Sequence, residues 1–162
     1  MMEEEITKLM GKVGDIMITE VEKGAIKRYA DAVDDHNPLY WDEEYAKNSR
    51  YGCIIAPPGF FGWPTGWVGA KPTFPTFAKL SHDEATTTLA QIGYNRSVDG
   101  GMEYEFFHTV RAGDTLVALP RITSVSEREG KSGKLIFVST ETTYTNQNGD
   151  LVAKSRQTTI YR

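Results

Sequence analysis

The sequence predicts an α+β fold, with one antiparallel sheet and the helices packed on one of its faces. The last third alternates apolar and polar residues in runs that short turns separate, which is typical of a strand meander. The first third has helical periodicity instead. The length of 162 residues is that of one domain, so we expect residues 1–162 to form a single unit.

The first third predicts a short strand followed by two helices. Ile16, Ile18 and Val21 indicate the strand. Apolar residues then recur at i, i+3, i+4 and i+7 over 25–33, which predicts a helix with one apolar face. Asp42 is a good N-cap for a second short helix that continues to residue 48, with acidic residues in its first turn.

Strands dominate the last third. Met102, Tyr104 and Phe106 alternate with Glu103 and Glu105, which predicts a strand with one apolar face. Glycine-containing turns follow at 113–114, 130–133 and 148–149, and the Asn-Gly pair of the last turn is a strong hairpin signal. The further predicted strands cover 116–125, 135–145 and 151–161.

The middle of the chain is compositionally distinct. Residues 51–80 contain five of the seven prolines and many glycines and aromatic residues, so they cannot form one regular helix or strand. Two interpretations stay open. The segment is either a packed irregular loop over the core or the wall of a ligand pocket, since irregular aromatic-rich backbone often forms such walls.

Composition excludes several classes of protein. The net charge of −4 argues against nucleic acid as a partner, because phosphate binding needs a basic surface. The single cysteine, Cys53, excludes an internal disulfide framework and multi-cysteine zinc sites. No apolar run is long enough to span a membrane, and the acidic N-terminus does not resemble a signal peptide. We therefore expect a cytoplasmic protein without a membrane partner.

The densest polar cluster lies at residues 34–40. Asp34 and Asp35 fall at the C-terminal end of the predicted helix, where negative charge opposes the helix dipole at a cost of about 0.3–1 kcal/mol each. Stability alone would favour a basic residue there. The cluster is therefore either a solvated turn or a functional site whose chemistry offsets this cost.

Residues 35–40, Asp-His-Asn-Pro-Leu-Tyr, resemble the Asp-x-Asn-Pro-(Leu/Ile/Val)-His signature of MaoC-like, R-specific enoyl-thioester hydratases and dehydratases. Residues 51–60 resemble the family's entry into its central helix, and 102–116 resemble its second strand and Gly-Asp-Thr-Leu turn. The resemblance is closest to the N-terminal-type subgroup and implies a hot-dog fold, an antiparallel sheet wrapped around a central helix. The resemblance does not extend to about residues 64–88, which we expect to form an overhanging segment that diverges from the family.

The resemblance also implies a reaction, the reversible hydration of a trans-2-enoyl thioester to the R-3-hydroxyacyl form. By position, Asp35 matches the family's catalytic aspartate, Asn37 matches its asparagine, and the amides near Gly59 match the donor to the thioester carbonyl. The implied substrate carries coenzyme A or phosphopantetheine. No further cofactor and no metal ion are expected.

One position departs from the family pattern. The catalytic histidine of the signature is Tyr40 here, and a phenol with an ordinary pKa near 10 is a poor base at neutral pH. His36 is a candidate substitute, although it occupies the variable position of the signature. The family therefore implies a homodimer or, more specifically, a heterodimer with a second hot-dog subunit that has the complete Asp/His pair. From the length of 162 residues we expect no fused second domain.

Other residues have two open interpretations each. Four aromatic side chains follow Pro58: Phe60, Phe61, Trp63 and Trp67. In one interpretation they form the wall of an acyl pocket and so limit the length of the acyl group or select its type. In the other they pack in the core around a kinked central helix. Arg96, with Lys71 and Lys79, either meets the phosphates of the substrate or is solvated. His108 is interpreted as structural. A non-catalytic acyl-thioester-binding or scaffolding subunit, and activity within this chain alone, remain alternative functions.

Overall fold

The computed structural model describes residues 2–14, 16–62, 79–130 and 133–162, and it confirms the α+β prediction. In chain order the elements are α1 Met2–Lys8, β1 Met17–Glu20, α2 Lys23–Ala32, a 3-10 turn Pro38–Tyr40, α3 Glu43–Asn48, α4 Lys79–Gln91, β2 Ser97–Phe106, β3 Thr115–Gly130, β4 Gly133–Thr145 and β5 Leu151–Tyr161. The predicted pocket residues Trp63 and Trp67, the predicted kink and Lys71 lie outside the described residues.

The strands form one antiparallel sheet in the order β1-β3-β4-β5-β2. Long ladders join β3 to β4 and β4 to β5, so the predicted C-terminal meander is confirmed for these three strands, whereas the strand predicted around 102–106 is not next to β3. β2 pairs with β5, and β1 pairs with β3. The short strand β1 and the ten-residue strand β2 are therefore the two edges of the sheet.

The inner face of the sheet buries two neighbouring apolar clusters. The first cluster packs Ile26 and Ala30 of α2 against Leu116 of β3. The second packs Ala85 and Leu89 of α4 against residues of three strands and the residue after α1; they are Ile122, Ile136, Val138, Tyr161 and Leu9. Helices thus lie on one face of a sheet that wraps around them, which confirms the hot-dog architecture.

The first strand forms where it was predicted, but Ile16 and Ile18 lie on the opposite face from the core. Met17 and Thr19 are buried, whereas Ile16 is 63% exposed and Ile18 is 69% exposed. The Thr19 hydroxyl donates a hydrogen bond of 2.9 Å to the Phe61 carbonyl, so the polar side chain is satisfied inside. Because side chains alternate along a strand, this contact orients every other residue of β1 outward.

Helix α2 ends in a left-handed turn that determines where Asp35 lies. Asp34 has a φ of 56°, and the next amide, that of Asp35, donates to the Ala30 carbonyl at 2.8 Å. This is the helix-ending pattern in which glycine is the usual left-handed residue. The Asp34 side chain is solvated, with 92% of its surface exposed.

We expect Asp34→Gly to raise the free energy of unfolding by up to about 1 kcal/mol, because glycine adopts this φ without strain and the charge at the helix end is removed. Asp34→Asn is the matched variant, since it keeps a residue that tolerates the left-handed region and removes only the charge. Urea unfolding followed by circular dichroism measures both. A destabilised glycine variant would contradict the assigned strain.

None of the described helices has the length and apolar character needed to cross a membrane.

Candidate active site

A pocket of about 350 Å³ opens between three segments that are far apart in sequence. Its walls come from the 3-10 turn and the residues before it, from residues 51–61, and from the end of β2 with the loop that follows. The lining residues are Asn37, Leu39, Tyr40, Tyr51, Ile55, Ala56, Pro57, Pro58, Gly59, Phe60, Phe61, Phe106, Phe107, His108, Thr109 and Val110.

Backbone hydrogen bonds hold the three segments together. The Ile55 amide donates to the Leu39 carbonyl at 3.3 Å, and the Ala56 amide donates to the Val110 carbonyl at 2.9 Å. Residues 55–56 therefore run between the other two segments. With about 5 Å between neighbouring extended chains, Leu39 and Val110 belong to opposite walls about 10 Å apart. Residues 55–56 fill the space between Leu39 and Val110 and so fix the distance between these two segments.

Tyr40 presents a neutral phenol to the pocket. Its side chain is buried, with 6% exposed, within the first apolar cluster. Burial, together with the negative charge of Asp35, raises the pKa of Tyr40 above its ordinary value, while a hydrogen bond with Asn37 opposes this shift. At neutral pH the group is a hydrogen-bond donor. It cannot serve as the base that the family's histidine provides.

Asp35 and Asn37 build the turn that carries Tyr40. The Asn37 amide donates to Oδ1 of Asp35 at 3.0 Å, and the Leu39 amide donates to Oδ1 of Asn37 at 3.1 Å. The Trp41 indole N–H donates to the Asp35 carbonyl at 2.9 Å. Asn37 reaches the pocket wall, whereas Asp35 is half-buried just behind it and acts on Tyr40 through its charge.

His36, the predicted substitute base, is not among the residues that line the pocket. Its ring is 78% exposed, and Nε2 lies 3.0 Å from Oδ1 of Asp34. The structure therefore places His36 in the solvated turn beside the site.

Phe60 and Phe61 of the turn at Gly59–Phe61 both line the pocket and belong to the buried first apolar cluster. Gly59 has a φ of +90°, and a Cβ there would lie 3.2 Å from the Tyr29 hydroxyl, so both conformation and space favour glycine. The Phe60 ring packs 5.2 Å from that of Tyr29. The Phe61 ring stacks on Tyr144 at 4.2 Å, and the rings of Tyr104 and Phe106 on β2 extend the same aromatic cluster.

Arg96, the predicted phosphate ligand, lies far from this wall. Its amide and carbonyl pair with those of Arg162 at 3.0 and 2.8 Å, just before β2 begins. Phe106, at the other end of the ten-residue strand, lines the pocket. A strand of that length spans about 33 Å, so the structure does not bring Arg96 to the pocket.

His108 is a pocket residue that sequence reasoning missed, since it was interpreted as structural. Its Nδ1 lies 2.8 Å from the Leu151 carbonyl, and its amide donates to the Val152 carbonyl at 3.1 Å. A carbonyl only accepts, so Nδ1 carries the hydrogen and the neutral ring keeps Nε2 as an acceptor. No local sequence signal indicates this placement, because the fold alone brings residue 108 to residue 40.

Within the described ranges, no three His, Cys, Asp or Glu side chains are grouped closely enough to hold a metal ion. The chemistry that these walls can supply is hydrogen bonding, apolar binding and, at His108, proton exchange.

Comparison with known families identifies the class of protein. The family described as "FAS1-like, dehydratase domain region" matches residues 8–155, and the chain belongs to that family. A protein of Thermomonospora curvata described as a probable enoyl-CoA hydratase alpha subunit is 30% identical over 132 residues. That match covers 81% of this chain but 41% of the relative, so the chain spans less than half of that protein's length.

Solved structures show the same fold. The ChsH1-ChsH2 complex from Mycobacterium tuberculosis contains a chain that matches with a TM-score of 0.79 at 16% identity, over 98% of this chain and 89% of that one. The HadBC (3R)-hydroxyacyl-ACP dehydratase complex of the same organism matches with a TM-score of 0.64 at 24% identity, over 94% and 96%. A MaoC-like dehydratase from Rhodospirillum rubrum shares the fold too, and the family match over residues 8–155 confirms that the chain belongs to a dehydratase family, as predicted.

Proposed function

We propose that this chain is a subunit of a hydro-lyase that reversibly hydrates trans-2-enoyl thioesters to R-3-hydroxyacyl thioesters. The observation that carries the proposal is the pocket in which the Asn37–Tyr40 turn faces the Gly59–Phe61 turn. Membership of a dehydratase family supports the same reaction. In the forward direction water supplies a hydroxyl to the β-carbon and a proton to the α-carbon, and dehydration reverses both transfers.

The pocket walls suit such a substrate. The turn at Gly59 lies beside an apolar surface, which is the environment in which a thioester carbonyl gains most from a donor as negative charge develops. The Phe60 amide already donates to the Pro57 carbonyl at 3.1 Å, so the donor of this proposal is the amide of Gly59 or Phe61. Phe60 and Phe61 supply the apolar surface for the acyl group. The neutral Tyr40 phenol can hold water or the product hydroxyl by a hydrogen bond.

The missing base points to a partner. Because Tyr40 cannot take a proton at neutral pH, we infer that a second hot-dog subunit with an intact Asp/His pair completes catalysis. The ChsH1-ChsH2 and HadBC complexes each combine two subunits, which supports such an assembly. β2 supplies a place for it, since all ten residues of this edge strand are exposed. Unpaired edges of this length are usually covered in the native protein.

A second candidate function is an acyl-thioester-binding or scaffolding subunit without turnover. The observation that favours it is the same one, a phenol at the position where the family has its histidine.

The deciding experiment assays hydration of crotonyl-CoA and longer trans-2-enoyl-CoA by the chain alone and with candidate hot-dog partners. We expect the complex to be about 10²–10⁴-fold faster than the isolated chain, which is the usual contribution of a positioned acid–base group. Saturable binding without hydration in any pairing would instead support the scaffolding function.

Equal rates with and without partners would show that the partner is not needed. In that case His108→Gln and His36→Gln form a matched pair of variants. Loss of activity in the first variant alone would assign the base to the pocket imidazole rather than to the solvated one.

A further inference from the structure

Two arginines flank one residue of the pocket wall. The guanidinium carbon of Arg50 lies 4.7 Å from the centroid of the Tyr51 ring, and its Nη2 is hydrogen bonded to the Tyr51 hydroxyl. Nη1 of Arg111 donates to the Tyr51 carbonyl at 2.7 Å. Tyr51 lines the pocket, and both arginines are exposed on its solvent side. Two positive charges therefore flank Tyr51, a residue of the pocket wall.

These charges are not neutralised by the described part of the chain. Most other basic groups with a close contact there have a carboxylate partner, as in the pairs Lys23–Glu43, Arg28–Glu22, Lys134–Glu127, Lys154–Glu141 and Arg156–Glu141. In the same ranges no carboxylate lies within ion-pair distance of Arg50 or Arg111. Arg50 and Arg111 therefore form a local positive patch in a chain of net charge −4.

The position of Arg111 is fixed by contacts that leave its charge available. Its backbone bridges to Ile55, and its amide donates to Oδ2 of Asp114 at 2.8 Å. The other oxygen of Asp114 accepts from the Gln147 side chain at 3.1 Å. Each oxygen of the Asp114 carboxylate thus accepts a hydrogen bond, one from a backbone amide and the other from a side-chain amide. The guanidinium uses part of its N–H set on Tyr51 and keeps the remaining donors for a ligand.

We propose that Arg50 and Arg111 form a phosphate-binding subsite at the pocket entrance, which holds a phosphate of the arm that carries the thioester. The inference rests on the proposed function, because the acyl group would then lie inside the pocket and the phosphorylated arm would extend outward past Tyr51. Guanidinium groups bind phosphate oxygens through paired N–H donors, which suits this site better than lone ammonium groups would. Coenzyme A and protein-bound phosphopantetheine share this chemistry.

The test measures binding of coenzyme A to the full chain by isothermal titration calorimetry, so that it does not depend on turnover. We expect the double variant Arg50→Gln/Arg111→Gln to bind coenzyme A at least about 10-fold more weakly, because charge-assisted hydrogen bonds are lost. Its affinity should also depend less on salt. Pantetheine, which lacks phosphate, should bind both proteins equally. Arg28→Gln is the matched control, since that arginine is exposed and already paired with Glu22.

Comparison of ligands separates the two sources of phosphate. If 4′-phosphopantetheine shows the same loss as coenzyme A, the subsite holds the arm phosphate that carrier proteins share. If the double variant binds only coenzyme A more weakly than the wild type does, and binds 3′-dephospho-coenzyme A equally well, the subsite binds the 3′-phosphate of the nucleotide. Either pattern supports the subsite.

Three results would overturn it: unchanged affinity in the double variant, no measurable binding of coenzyme A to the wild-type chain, or a loss of affinity in Arg96→Gln in place of the double variant. The binding assay tests both exposed arginines without any turnover. If the chain binds coenzyme A through them but hydrates no enoyl thioester, the result contradicts the proposed function and leaves the phosphate subsite supported. Unchanged thermal unfolding of the variants shows that the fold is retained.

Discussion

Tyr40→His is expected to raise the hydration rate of the isolated chain by about 10²–10⁴-fold, the range that a positioned general acid–base group contributes. The substitution restores the histidine of the family signature next to Asp35, whose charge already acts on position 40. An imidazole exchanges protons near neutral pH, whereas the pKa of the buried phenol is raised further away from it. Steady-state kinetics with crotonyl-CoA measure the gain.

Tyr40→Phe and the double variant Tyr40→His/Asp35→Asn are the controls for this gain. The phenylalanine variant fills the same buried space without a proton-exchanging group, and we expect no gain. The double variant removes the carboxylate that the imidazole needs, and we expect most of the gain to disappear. A Tyr40→His protein that keeps its thermal stability and stays as slow as the wild type would contradict the proposed position of the catalytic pair.

Met102→Lys is expected to weaken association with a second hot-dog subunit by about 100-fold or more, since an unpaired charge buried at an interface costs about 3–5 kcal/mol. Met102 is 43% exposed on the edge strand β2, where Val98, Tyr104 and Phe106 are also exposed apolar residues. Sedimentation equilibrium of the chain alone, and of the chain with its partner, measures the change.

Ile18→Lys is the matched control for this association. Ile18 is 69% exposed on β1, the opposite edge of the sheet, and is also apolar. That strand has four residues, too few for a long ladder with another subunit, so we expect no change. Dissociation by Ile18→Lys with an unaffected Met102→Lys variant would place the interface on the other edge.

The strands of the last third could be predicted because their alternation and turns are local signals. Helix α2 was predicted for the same reason, and Asp42 caps α3 as expected, accepting hydrogen bonds from two amides of that helix. The face of β1 could not be predicted, because a long-range hydrogen bond to Phe61 orients Thr19 inward. Helix α4 was missed since Ala85 and Leu89, one turn apart, are its only described residues that join the core cluster, too few for a periodic signal.

The residues of the candidate site also fall into two groups, those that local sequence signals predict and those that only the folded chain brings together. Asn37, Tyr40 and the turn at Gly59 were found because each belongs to a short contiguous motif. His108 and Tyr51 could not be assigned to the pocket from sequence. Their place depends on residues 55–56 lying between Leu39 and Val110, which is a property of the folded chain.

The contacts of Asp35 have an entropic consequence. Its amide is bonded to Ala30, its carbonyl to Trp41 and its carboxylate to the amide of residue 37. A side chain held in one rotamer before the substrate arrives loses little conformational freedom when it binds, and a mobile carboxylate would lose about 0.5–1.5 kcal/mol on being immobilised. The turn is thus preorganised, and under the proposed function we expect Trp41, which does not line the pocket, to favour binding by holding the turn in place.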